Sequence, residues 1–310
     1  MEQNILIRFG ALGDAITAVN YAKEAGYGHI LFASNVWGYF FNRKSASNEL
    51  IVKIANKNKI NFQYVSLVDL IRFVRCISIK DKIQLRFFMQ SQLGLGLQLA
   101  YFVTRSFVNI IFWKRDEEIV LDKYYMGTQY PSLLKNSNLK IFKDKDIRVK
   151  IWYDSKQPSK DLNKESLYKI CSLLDQYLLC QSIDIHGLNK IDLDVAKLPL
   201  NVINRTGIMS PIEFESSIDA TDLAVVVDSG PMHVYAMYKI PLIIFKGMRD
   251  GLVNWMPLGR RNATVIFDDE VSCRGCGRHS CKFETNFCVN SDKNIDSFEK
   301  IIKKIVADSL

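Results

Sequence analysis

The stretch Asp222-Leu-Ala-Val-Val-Val-Asp228-Ser229-Gly230-Pro231-Met232-His233 has the pattern of a buried strand, a tight turn and the start of a helix. Residues 223–227 are continuously apolar and rich in valine, which is typical of a strand covered on both faces of a parallel sheet. Pro231 suits the first turn of a helix, where the N–H that proline lacks would have no partner. The stretch therefore predicts an α/β fold built around this strand.

The turn after this strand has the features of an anion-binding loop. A helix that begins there directs its first N–H groups and the positive end of its dipole toward one point, and such a point attracts phosphate. The alternative is an ordinary strand–turn–helix unit in which Asp228 caps the helix. In the first interpretation the phosphate-binding residues are Asp228, Ser229, Gly230, Pro231, Met232 and His233.

The N-terminus contains a second strand, glycine turn and helix, over residues 4–16. Arg8 lies near the end of the strand, Gly10 and Gly13 allow the backbone to turn sharply, and Asp14 follows directly. Two such units predict two Rossmann-like lobes whose parallel sheets face a central cleft. A change of composition near residue 145 divides the chain into domains 1–145 and 146–293. In this architecture we expect the amphipathic helix 294–310 to pack back on the first domain.

With these motifs the chain resembles glycosyltransferase family 9, the lipopolysaccharide heptosyltransferases and their relatives. The resemblance covers both ends and most of the second half, whereas residues 35–145 carry no matching motif. It implies a GT-B type fold in which the N-terminal domain binds an acceptor and the C-terminal domain binds a nucleotide sugar. The matching pieces are Arg8, Gly10, Gly13 and Asp14, then Ser159-Lys160, Asp228-Ser-Gly-Pro-Met-His233, Phe245-Lys-Gly247 and Trp255-x-Pro257-x-Gly259, with a cysteine cluster near the end.

The resemblance also implies an activity, the inverting transfer of a heptose or a related sugar from a nucleotide-diphosphate donor to lipopolysaccharide or another envelope glycan. In that reaction Asp14 is the general base and Lys160 contacts the donor phosphates. An aspartate with an ordinary pKa of about 3.9 is ionised at neutral pH and can accept a proton. The alternatives are that Asp14 only caps its helix and that Lys160 is an exposed lysine without a role.

Two other functions fit the same architecture. A sugar-nucleotide epimerase would convert the donor without an acceptor, and a non-catalytic binding module would hold the nucleotide sugar without turnover. Asp192-Leu-Asp194 is an Asp-x-Asp pair, but it lies in a segment without a clear pattern and does not suggest a catalytic metal. We therefore expect that catalysis needs no cofactor.

The cysteines near the C-terminus form a separate cluster, with His279 among them. Four thiolates within such a short segment can bind zinc tetrahedrally, so one prediction is a structural zinc site without a catalytic role. Free thiols or a partial disulfide are the alternatives. The cluster has the spacing Cys273-x-x-Cys276-x4-Cys281-x6-Cys288.

The chain carries 41 Lys and Arg against 33 Asp and Glu, a formal net charge of +8. This excess predicts an anionic partner, namely a nucleotide, an acidic glycan or an anionic membrane surface, and no nucleic-acid motif accompanies it. Helices in the most basic part, residues 70–115, would present an apolar face flanked by cations, and an ordinary solvated helix face is an equal alternative. Without a signal peptide or a membrane span, we expect a cytoplasmic protein or one at the cytoplasmic face of the inner membrane.

Overall fold

The chain folds into two compact units, Met1–Asp122 and Lys123–Leu310, in a computed structural model of the protein. The predicted boundary at residue 145 differs from this division by residues 123–145, which lie outside the described residues. The structure describes residues 3–9, 15, 19, 22, 28–33, 46–64, 83–88, 146–209, 211–247, 263–268, 270–271, 276, 278, 280–283 and 286–308.

The first unit contains a parallel sheet with the strand order β3-β2-β1-β4. Ala15, Val19 and Ala22 are helical and fully buried, and their spacing places them on one helix face. The predicted strand followed by a helix at the N-terminus is thereby confirmed. The described elements of this unit are β1 (Gln3–Phe9), β2 (His29–Ala33), α1 (Ala46–Lys57), β3 (Asn61–Tyr64) and β4 (Ile83–Phe88).

Strand β4 corrects one prediction. Residues 70–115 were expected to be helical where they carry cations, but Ile83–Phe88 pairs in parallel with β1. Its sequence Ile-Gln-Leu-Arg-Phe-Phe alternates apolar and polar residues over the first five positions, which is the period of a strand. The expected basic helix surface is therefore wrong for these residues. The rest of the segment lies outside the part that the structure describes.

The second unit contains a six-stranded parallel sheet with the order β10-β9-β8-β5-β6-β7. From the β7 edge this is the strand order of a complete Rossmann fold, in which the order of strand addition reverses between the parallel strands β5 and β8. Ligands of such sheets bind at the carboxyl ends of the strands beside this reversal. The elements are β5 (Ile147–Trp152), α2 (Lys164–Tyr177), β6 (Cys180–His186), β7 (Val202–Asn204), α3 (Pro211–Ile218), β8 (Leu223–Val227), α4 (Gly230–Met237), β9 (Leu242–Phe245), β10 (Ala263–Ile266) and α5 (Asp292–Asp308).

The strand predicted as the centre of the fold occupies the middle of this sheet. All five residues of β8 are fully buried. At one edge of the sheet lies β7, a three-residue strand that was not predicted from the sequence. The Val202 N–H donates to the Pro199 carbonyl at 3.1 Å, within its own loop. The sheet therefore has a fully buried central strand, β8, and a short strand, β7, at one edge.

The C-terminal helix α5 belongs to the core of the second unit. Its apolar side, Ile295, Phe298, Ile302 and Ile305, is buried there, and the Phe298 ring lies 5.6 Å from that of Phe245. This placement gives α5 partners in the second unit, and the expectation that it packs on the first domain stays a prediction. Among the described residues, no helix combines the length and the apolar character that crossing a bilayer requires.

The loop after β5 is held by carboxylates. Asp154, which is fully buried, accepts hydrogen bonds from the Leu188 and Asn189 N–H groups at 2.9 and 2.8 Å. Asp161 accepts one from the Ser155 N–H at 2.8 Å. Burial, together with the negative charge of Asp154, raises the pKa of Asp161 to about 7, although the Ser155 hydrogen bond opposes the shift. These contacts fix the turn Pro158–Lys160, which lies between the two carboxylates in sequence.

We expect Phe298→Ala to destabilise the second unit by about 3–5 kcal/mol, because it leaves a cavity under α5. Chemical denaturation followed by circular dichroism measures the change. Phe287→Ala is the matched control, since that ring is 50% exposed and its loss should cost little. Equal effects of the two substitutions would contradict the packing of α5 described above.

Asp161→Asn should change the pH dependence of stability. The folded pKa of about 7 exceeds the ordinary 3.8, so the folded state holds the additional proton and wild-type stability falls as pH rises from about 4 to 7. Asparagine keeps the acceptor for Ser155 and removes the charge. We expect a gain on the order of 1 kcal/mol above pH 7 and none near pH 4, because Asp161 is only partly buried. Thermal unfolding across this range measures it, and a gain independent of pH would argue against the shifted pKa.

Candidate functional site

Three adjacent strands of the second unit bring polar residues to one edge of the sheet. Asp228 directly follows β8, Lys246 directly follows β9, and Lys160 lies in the turn after β5. Strands β8 and β9 are entirely apolar, and their first polar side chains come directly after the strand ends. The parallel order therefore gathers the three charged groups beside the reversal between β5 and β8.

The three side chains form a buried charge cluster. Lys160 Nζ lies 2.9 Å and Lys246 Nζ 3.0 Å from the same Asp228 oxygen, Oδ2. The side chains of Lys160, Asp228 and Lys246 expose only 10%, 4% and 0% of their surface. Burial alone would raise the pKa of Asp228, but the Lys246 and Lys160 ammonium groups outweigh it and lower the pKa to about 2. The carboxylate is therefore ionised at every physiological pH.

This cluster argues against the alternatives given for Asp228 and Lys160, and their binding of phosphate stays a prediction. The N-cap of α4 is Ser229, not Asp228, whose carboxylate binds the two lysines. Lys160 is buried rather than an exposed lysine without a role. Instead of capping α4, Asp228 forms ion pairs with both Lys160 and Lys246.

The helix α4 begins as the sequence predicted. Gly230 is its first residue, Pro231 lies in its first turn, and the backbone of Ser229 is extended. Ser229 makes no side-chain capping bond, and its Oγ is buried without a hydrogen-bond partner among the described residues. His233 and Met232 are buried in the first turn of the same helix. A buried hydroxyl beside a helix N-terminus is a donor for an anionic ligand.

Lys246 is the site residue that the sequence analysis did not assign. Its signal was present, since it is a lysine placed directly after a four-residue apolar strand and before Gly247. Gly247 allows a close approach, because a Cβ there would lie 3.0 Å from Val289 Cγ2 and 3.4 Å from Cys288 Sγ. The cysteine-rich segment therefore packs against the backbone next to the charge cluster.

The zinc site stays a prediction. Cys273 and His279 lie outside the described residues, and Cys276 is exposed, Cys281 half-buried and Cys288 buried. Within the described part of the chain, no three potential ligands gather around one point. The segment also makes polar contacts with the turn that carries Lys160, since Ser159 Oγ donates to the Arg278 carbonyl at 2.9 Å.

The predicted base and its turn cannot be placed in the same way. Asp14, Gly10 and Gly13 lie outside the described residues, so the role of Asp14 stays a prediction. Arg8 belongs to β1, where its backbone is level with Phe32 of β2 and Phe88 of β4. It is therefore near the carboxyl end of the central strand of the first sheet.

A buried histidine lies at the end of the neighbouring strand β6. His186 is fully buried, stacks on Trp152 with ring centroids 6.2 Å apart, and has no hydrogen-bond partner for either ring nitrogen among the described residues. Burial, followed by the positive charge of Lys150, lowers its pKa to about 4 although Asp184 opposes the shift. His186 is therefore neutral at pH 7.

No family model and no curated protein matches this chain in sequence. Solved structures do match it. A family 9 glycosyl transferase from Veillonella parvula DSM 2008 has a TM-score of 0.59 and 16% identity, over 98% of each chain. The ADP-heptose lipopolysaccharide heptosyltransferase II of E. coli has a TM-score of 0.55 and 12% identity, over 97% of this chain and 99% of that one. The α/β fold with parallel sheets is confirmed, and it is the GT-B fold of the family 9 glycosyltransferases.

Proposed function

We propose that this protein is an inverting glycosyltransferase that moves a heptose or a related sugar from a nucleotide-diphosphate donor to lipopolysaccharide or another envelope glycan. The observation that carries the proposal is the cluster of Lys160, Asp228 and Lys246 beside the N-terminus of α4. It occupies the carboxyl edge of a Rossmann-order sheet, where such folds bind nucleotides. The E. coli protein of the same fold is an ADP-heptose heptosyltransferase, which supports a sugar nucleotide as the donor.

The cluster has the chemistry that a diphosphate requires. The first N–H groups of α4 and the Ser229 hydroxyl donate hydrogen bonds, and the helix dipole favours negative charge at the same point. Lys160 and Lys246 supply positive charge against the developing charge of the leaving group. Asp228 fixes both ammonium groups before the donor arrives, so little reorganisation is needed when the bond to the sugar breaks. In this proposal protein groups alone stabilise the charge of the leaving diphosphate, and catalysis needs no metal.

The transfer itself is a single displacement. The acceptor hydroxyl attacks the anomeric carbon from the face opposite the nucleotide diphosphate, its proton passes to the Asp14 carboxylate, and the diphosphate leaves toward the two lysines. The first unit would bind the acceptor, and the second would bind the donor. An ionised aspartate is suited to take the proton late in the reaction, when the attacking oxygen becomes acidic.

Lys160→Met and Lys246→Met should each weaken ADP binding about tenfold, since each removes a positive charge from the phosphate site. Either single variant leaves Asp228 with one ammonium partner, so we expect both to fold. Calorimetric titration with ADP measures the affinity, and thermal unfolding checks the fold. Lys169→Met is the control, because Lys169 binds Asp292 on an exposed surface of the same unit. Unchanged ADP affinity in both site variants would refute the phosphate assignment.

Asp14→Asn should lower the transfer rate by about 10²–10⁴-fold and leave ADP affinity unchanged. Asparagine caps a helix as well as aspartate does, so a purely structural role would survive this substitution. Mass spectrometry of donor and acceptor products measures transfer with ADP-heptose and lipopolysaccharide core as substrates. A variant as active as wild type would remove Asp14 from the mechanism. Conversion of the donor in the absence of acceptor would instead favour an epimerase.

A further inference from the structure

Two asparagines from a distant part of the sequence contact the turn that carries Lys160. Asn286 Nδ2 donates to the carbonyls of Pro158 and Asp161, the second at 3.2 Å, and Asn290 Nδ2 donates to the same Asp161 carbonyl at 3.0 Å. We call Asn286 and Asn290 the asparagine pair. Its side-chain amides contact the turn at its first residue and directly after its last.

The carbonyls that the asparagine pair contacts need donors from elsewhere in the chain. They belong to a short helical turn, and the last carbonyls of a helix have no partner within it. The Pro158 carbonyl accepts one further bond, from the Asp161 N–H at 3.1 Å. The Asp161 carbonyl accepts from both asparagine side chains, which uses the two acceptor positions of a carbonyl oxygen. The conformation of the turn therefore depends on the asparagine pair.

The asparagine pair is itself attached to the core of the second unit. Asn290 Oδ1 accepts from the Asn163 N–H at 2.9 Å, at the N-cap of α2. Asn294 is fully buried, and its Nδ2 donates to the carbonyls of Cys288 and Val289, both at 3.0 Å. The side chains of those last two residues are buried in the core, between the two asparagines in sequence. The donors of the asparagine pair are therefore held in place.

Lys160 depends on the position of this turn. The turn has only three residues, and Lys160 is the last of them. Lys160 Nζ lies 2.9 Å from Asp228 Oδ2, and the lysine is 8% exposed. A shift of the turn by about 1 Å would put this ammonium group outside hydrogen-bond range in its present rotamer, because such bonds need about 2.7–3.2 Å between heavy atoms. Contacts that hold the turn therefore also hold the charge.

We propose that the asparagine pair positions Lys160 for the donor phosphates by holding the turn Pro158–Lys160 in place. The two asparagines are positioning residues, since they act through the lysine and need no contact with the donor. This inference rests on the proposed function, in which Lys160 binds the diphosphate. The alternative is that the same hydrogen bonds only stabilise the second unit, and the experiment below separates the two.

The double variant Asn286→Gly with Asn290→Ala removes both side-chain amides. Glycine at position 286 keeps the left-handed φ of 48°, which alanine would strain. Limited acetylation with acetic anhydride, read by mass spectrometry, should label Lys160 severalfold faster than in the wild type. The reagent needs an accessible, neutral amine, and the contact with Asp228 favours the charged form. Lys169, whose side chain is 53% exposed, is the internal reference and should label at the wild-type rate.

Calorimetric titration with ADP tests the consequence for the site. The double variant should bind ADP about fivefold more weakly than the wild type, since the lost positioning bonds are worth roughly 1 kcal/mol. In the Lys160→Met background the same two substitutions should change ADP affinity by less than about twofold, because the positioned lysine is already absent. Each single substitution carries the same test, with a smaller effect, should the double variant not fold.

Asn201→Ala is the matched control. Asn201 is half-buried in the same unit, and its Nδ2 donates to the Cys180 carbonyl at 2.9 Å, near the β7 edge of the sheet. This variant should keep the wild-type labelling of Lys160 and the wild-type ADP affinity, and thermal unfolding without ADP should show every variant folded.

Unchanged labelling of Lys160 in the double variant, or an equal rise in the control, would overturn the inference. So would a loss of ADP affinity that is as large in the Lys160→Met background as in the wild type, since the asparagines would then act on the whole unit. Faster labelling of Lys160, with ADP affinity unchanged both in the double variant and in Lys160→Met, would support the positioning of the lysine and refute its phosphate assignment instead.

Discussion

The second unit depends on one electrostatic constraint, which is that the buried, ionised Asp228 needs a cation close to it. An isolated ion in a protein interior loses several kcal/mol of hydration, and only close partners restore it. Here one carboxylate oxygen accepts from both Lys160 and Lys246 at about 3 Å. Since the three residues follow three adjacent strands, the order of the sheet brings the charge cluster together.

The same constraint explains why the site suits a diphosphate. Two cations that must be kept together before a ligand arrives need an anion of their own, and Asp228 supplies it. The helix N-terminus and the Ser229 hydroxyl then add donors without adding further buried charge. Asp228 and Lys246 directly follow strand ends, and Lys160 lies in a turn held by Asp154 and Asp161, so the charges are positioned before a ligand binds.

The sequence was most informative where a local pattern decides the structure. The apolar run before Asp228 and Pro231 after it predicted β8 and the start of α4, because both follow from burial and backbone chemistry alone. Lys246 was not assigned, since its contact with Asp228 depends on which strands are neighbours. The partners of α5 in the second unit were not predicted for a similar reason: an amphipathic pattern shows which side of a helix is buried, not which surface covers it. Strand β4 was not predicted, because its alternating run is short and the basic residues on either side favoured helices.

The short edge strand β7 has a consequence for how the protein behaves at high concentration. An open parallel sheet can grow by recruiting another chain to its last strand, and exposed leucines such as Leu200 would favour such growth. Yet β7 extends over only Val202–Asn204, and the Val202 N–H is already used by the Pro199 carbonyl. Another strand that approached this edge could form too few backbone hydrogen bonds to stay paired. This edge of the sheet therefore offers few backbone groups with which another chain could pair.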